Sequence, residues 1–93
     1  MKVYLVRAAW GEYSDAGECI EHVFSKREKA IEYIKGRGIG VYDDGDYTYA
    51  CWPCDEPMRT VYPTWNGSNW AYEGVQYSLD TPWFDVIEME VDA

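Results

Sequence analysis

Ninety-three residues make one domain with a modest core, and a hydrophobic content of 47% excludes a chain disordered by composition. The net charge of −9 is lopsided: from Gly38 onward there are eleven acidic side chains and one basic one, Arg59, whereas the first 37 residues carry seven Lys/Arg against six Asp/Glu. A field of this kind disfavours nucleic acid and anionic membrane as partners and favours basic surfaces.

No apolar run approaches transmembrane length, and Arg7 interrupts any signal-peptide core near the start. Three cysteines, an odd number, do not suit a secreted disulfide framework. A soluble, cytoplasmic protein is expected.

In chain order, Lys2 to Trp10 reads as a strand with Val3 and Leu5 on one face and Tyr4 and Val6 on the other. Apolar character on both faces suits a central strand covered on both sides. Gly11 to Gly17 is a turn, and Glu18 to Phe24 is a second strand, antiparallel to the first. Strict alternation places Ile20, His22 and Phe24 on one face and Cys19, Glu21 and Val23 on the other.

Ser25-Lys26-Arg27-Glu28 fits a capping box, and Ala30, Ile31 and Ile34 form an apolar stripe at helical spacing. The pattern predicts a helix over about 25–36, stopped by Gly36 and Gly38; with Arg37 just after it, this stretch carries five of the eight bases. Gly38 to Asp46 reads as a loop, Tyr47 to Trp52 and Arg59 to Tyr62 as short strands, and Asn66-Gly67 as a turn between Trp65 and Trp70. Ala71 to Leu79 is a weak strand. In the last strand, Asp85 to Val91, alternation points Ile87, Met89 and Val91 at a core and Glu88, Glu90 and Asp92 at water.

The expected fold is α+β: an antiparallel sheet of about five short strands with one helix on one face. The single domain, 1–93, divides into a hairpin plus helix, 1–37, and an acidic, aromatic-rich portion, 38–93.

The run Gly11-Glu12-Tyr13-Ser14-Asp15, then Val23-Phe24-Ser25, Glu28-Lys29-Ala30 and Tyr33-Ile34, resembles a small domain family of unassigned function in bacteriophage and bacterial genomes. The terminal Val86 to Val91 resembles that family's last strand. The resemblance implies no catalytic residues. It implies a phage or mobile-element context, in which small acidic proteins act against host defence nucleases, as anti-CRISPR or anti-restriction factors.

The functional expectation is a non-catalytic acidic binding protein that occupies a basic, nucleic-acid-binding surface of a host protein, itself contacting neither nucleic acid nor membrane. Asp43, Asp44, Asp46, Asp55, Glu56, Glu88, Glu90 and Asp92 are its candidate contact residues, as a DNA mimic, with Trp65, Trp70 and Tyr72 as anchors. No nucleophile–base arrangement is recognisable, so no enzyme and no cofactor are expected.

Two alternatives stand beside this reading. The aromatic segment Tyr62, Trp65, Trp70, Tyr72, Tyr77 and Trp83 can wall a small-molecule pocket, for anionic nucleotides only where Arg7, Arg59 and the helix bases gather at it. Cys51 and Cys54 can form a redox pair or, with Cys19 and His22, a four-ligand zinc set, provided a bulge turns Cys19 and His22 to one side. The bland counterparts are a solvated acidic surface, aromatic core filling and inert thiols.

Overall fold

The computed structural model describes residues 1–11, 16–45, 47–51, 57–75 and 81–92, with the backbone alone for residues 44, 47 and 49–51. Among these, the elements are β1 (Lys2–Trp10), β2 (Gly17–Phe24), α1 (Arg27–Lys35), β3 (Ile39–Asp44), β4 (Tyr47–Cys51), β5 (Arg59–Val61), β6 (Thr64–Trp65), β7 (Trp70–Ala71) and β8 (Trp83–Glu90). They form two antiparallel sheets, one of five strands ordered β2-β1-β8-β7-β6 and one of three ordered β4-β3-β5.

This corrects the α+β expectation of one sheet of about five strands with a helix over about 25–36 on one face. The chain is mostly strand, and its single described helix spans nine residues. The difference arises in the segment read as a loop. Gly38-Ile39-Gly40-Val41-Tyr42 alternates apolar side chains with glycine, and Ile39 and Val41 are buried. That alternation makes β3 the centre strand of its own sheet, paired on both edges, instead of a connection. Gly38 is required by crowding: a Cβ there would lie 2.6 Å from the Thr60 methyl and 2.8 Å from the Tyr62 ring.

The helix also starts later than the capping box implies. Its N-cap is Lys26, in extended conformation and with no side-chain cap. Its buried face, Ala30 and Ile34, packs into a core with Val6, Ala8, Ile39, Val41, Tyr72, Val75 and Phe84. The core thus joins α1, the large sheet and the near end of the small sheet, in a molecule that extends 54 × 29 × 26 Å.

Two face assignments are re-sorted. The register of β1 on β2 shifts between Val6 and Arg7, where His22 opposes Val6 and Ile20 opposes Arg7. Glu21 is therefore the extra residue of a bulge, and Cys19, His22 and Phe24 fall on the face shared with Ala8, Val6 and Tyr4. In β8 the core residues are Phe84 and, partly, Val86. Ile87 and Met89 oppose Leu5 and Val3 on the other face, where Met89 is 51% exposed. β1 is central in its sheet but covered on one side. Its second face, with Leu5 beside Val23 and Ile87, is apolar and open.

No described helix is long and apolar enough to cross a membrane.

Candidate functional site

The predicted anionic residues separate into two groups. On β8, antiparallel pairing brings the basic start of the chain against the acidic end. Lys2 opposes Glu90 and Tyr4 opposes Glu88. The Lys2 ammonium lies 3.5 Å from Glu88, whose carboxylate also accepts from the Tyr4 hydroxyl, and the Met1 amine lies 3.2 Å from Glu90. Further along, Arg7 makes a two-pronged ion pair with Asp85, reaches Glu18, and stacks 5.8 Å from the Trp83 ring. The bond to Asp85 and its charge raise the Arg7 pKa further above its ordinary range. The row Glu88, Glu90, Asp92 is consequently not a free phosphate-like ladder. Two of its three members face cations, and Asp92 is exposed at the end.

The second group lies along residues 39–61, the stretch of sequence that includes β3, β4 and β5. Residues 39–61 hold Asp43, Asp44, Asp46, Asp55 and Glu56 against one base, Arg59. Asp43 accepts from Arg59 Nε at 2.9 Å and from the Thr48 hydroxyl at 2.7 Å. Those bonds hold its carboxyl below the ordinary value, Arg59 contributing most. Asp44 is placed by its backbone, opposite Tyr47 in the hairpin that Gly45 turns with φ 62°. Asp46, Asp55 and Glu56 lie outside the described residues. Arg59, the sole base of this segment in the sequence, pairs with Asp43.

The aromatic residues do not form one wall. Tyr72 is core, 2% exposed, and its hydroxyl donates to the Arg37 carbonyl. Trp83 lies by Arg7, and Tyr62 is exposed beside Gly38. Tyr77 lies outside the described residues. Trp65 and Trp70 do meet, as opposed residues of the β6–β7 hairpin, with ring centres 5.6 Å apart and planes inclined at 55°. The turn between them is held by Asn66, whose side-chain oxygen accepts from the amides of Ser68 and Asn69, and Gly67 takes φ 99°.

This pair borders the basic helix: a cleft of about 290 Å³ is lined by Arg27, Ile31, Trp65 and Trp70, and the Lys35 ammonium lies 5.6 Å from the Trp70 ring centre. Arg27, Ile31 and Lys35 recur at four-residue spacing along one stripe of α1, a signal present in the sequence. Apolar spacing alone groups Ile31 with Ala30 and Ile34 and separates it from the two bases.

The bulge that a zinc set requires is present, and Cys19 and His22 share a face. His22 is stacked on Tyr33, 5.6 Å away, and packs on Phe24 at 4.4 Å, while Cys19 is an exposed thiol. Cys51 is placed by its backbone and Cys54 lies outside the described residues. Among the described residues no group of three or more His, Cys, Asp or Glu side chains is placed to hold a metal. The bulged Glu21 is used otherwise: it accepts two bonds from Arg37, at 3.1 and 3.0 Å, and one from the Tyr33 hydroxyl at 3.3 Å.

Comparison with protein-family profiles, with curated proteins and with solved structures finds no match.

Proposed function

We propose that this chain is a non-catalytic binding protein whose small, acid-rich sheet occupies a basic, nucleic-acid-binding surface of another protein. The observation that carries this reading is the uneven pairing of charge. Cations of β1 answer the carboxylates of β8, but residues 39–61 keep five carboxylates against one arginine. A segment with five carboxylates to one base offers net negative charge to a positive cleft, where it competes with phosphates for the same Lys and Arg side chains. The partner class suggested by the phage-like sequence pattern is a host defence nuclease of the CRISPR or restriction type.

The test is displacement of DNA from such a nuclease by the purified protein. Between about 50 and 300 mM salt the apparent affinity should fall at least roughly tenfold. Converting Asp44, Asp46, Asp55 and Glu56 to lysine should abolish displacement, whereas Glu88→Gln with Glu90→Gln should change it little. Displacement that is indifferent to salt and to the four reversals removes this reading.

A further inference from the structure

We infer that the corner between α1 and the β6–β7 hairpin is a binding site for a small planar anion: one aromatic ring system bearing a phosphate or carboxylate. It is a different place from the acid-rich sheet, with the opposite sign of charge, and does not depend on the role proposed for that sheet.

The first support is shape. The cleft of about 290 Å³ lies at the lower end of small-ligand sites, which span roughly 300–1,000 Å³, so it suits one ring system with its anionic group. Two of its walls are indoles inclined at 55°, and Trp65 remains 51% exposed despite its large apolar surface. A flat ring stacked on one indole presents its edge to the other, an arrangement aromatic groups favour. Ile31 supplies an apolar contact on the third side.

The second support is charge. The chain has four arginines. Arg7, Arg37 and Arg59 each bind a carboxylate, Asp85, Glu21 and Asp43 respectively. Arg27 lines the cleft and has no ion-pair partner among the described residues. A guanidinium beside two indoles is the donor that a phosphate or carboxylate takes in two-pronged fashion. Lys35, held over the Trp70 ring about two turns further along the same stripe, adds a second positive charge. The condition under which an acidic protein can accept an anion, gathering of helix bases at the aromatic wall, is met by Arg27 and Lys35, while Arg7 and Arg59 are engaged elsewhere.

The experiment is an NMR titration of the full chain, read at the indole N–H resonances of Trp65 and Trp70. The probes are adenosine monophosphate (ring plus phosphate), indole-3-acetate (ring plus carboxylate), and the half-ligands adenosine and inorganic phosphate. One or both complete probes should bind with a dissociation constant at or below about 1 mM, and each half-ligand about tenfold or more weaker. Arg27→Gln should weaken the complete probe about tenfold without lowering the melting temperature, and Trp65→Ala should remove the ring contribution. Preference for one complete probe identifies the anion and upholds the site. Adenosine binding as tightly as its monophosphate, no shift at about 10 mM of either complete probe, or binding unchanged in both variants overturns it.

Discussion

Glu21 illustrates how one residue decides which way a strand faces. Plain alternation assigns it to the side of Cys19 and Val23 and predicts nothing of note. The bulge at Glu21 turns its carboxylate toward α1, where it meets Arg37 and Tyr33 and ties β2 to the chain leaving the helix. Nothing local announces the bulge, since neither glycine nor proline marks it, so it was not legible without the pairing partner. Its side chain is 18% exposed, which spares the pair much of the solvent screening that weakens surface ion pairs. Glu21→Ala should cost about 1–3 kcal/mol by chemical denaturation. Combining it with Arg37→Ala should cost less than the sum of the singles, because each removes the same bonds. Asp43 offers a second residue-scale test. Its pKa is depressed in the fold by Arg59 and Thr48, so its stabilising contribution is present above the ordinary Asp value of 3.8 and is lost as pH falls through the lower, folded value. An NMR titration should find the Asp43 midpoint below 3.8, moving up toward it in Arg59→Gln; a midpoint unmoved by that change would contradict the pairing.

At the scale of elements, β8 was recognisable as a strand but not as to which face is inside. Phe84 and Val86 on one side, and Ile87 and Met89 on the other, are all apolar. Glutamates at 88 and 90 tip the pattern toward placing Ile87 and Met89 inward. The structure does the reverse, because the only described helix covers the Val6, Phe84 side and leaves the Leu5, Ile87 side open. Phe84→Ala should therefore cost about 3–5 kcal/mol, while Met89→Ser should stay within about 0.5–1 kcal/mol, by thermal or denaturant unfolding. Equal costs would restore the face assignment predicted from alternation. The hairpin, the helix and the Asn66-Gly67 turn were legible because their signals are local: alternation, periodicity and turn chemistry. The β3 strand was not. Gly38 and Gly40 look like loop residues, yet Gly38 is demanded by the approach of Thr60 and Tyr62, a contact made across the small sheet. Gly38→Ala should destabilise the fold for that reason, by an amount set by how far Tyr62, which is exposed, can yield.

For the molecule as a whole, the sequence gives the size of the charge imbalance and the fold decides where it is felt. Antiparallel pairing of β1 with β8 carries bases from the start of the chain to acids at its end, so part of the charge asymmetry along the sequence is undone in space. The net charge is unchanged at −9, and residues 39–61 carry five carboxylates to one base along the sequence. Salt should then act on stability in a definable direction. Screening weakens the β1–β8 pairs at Met1 and Lys2, but both are more than half exposed and each is worth only about 0–1 kcal/mol. Screening also relieves repulsion among like charges in residues 39–61, where a single arginine stands against five carboxylates. The second effect should win. The Debye length falls from about 30 Å at 0.01 M to about 3 Å at 1 M, a range spanning the whole width of a molecule 29 × 26 Å across its shorter axes. The melting temperature should rise by a few degrees over that range, and replacing Asp44, Asp46, Asp55 and Glu56 with asparagine or glutamine should flatten the rise. A melting temperature that falls with salt would mean that the paired charges outweigh the unpaired ones, and that the small sheet presents no net field for a basic partner to meet.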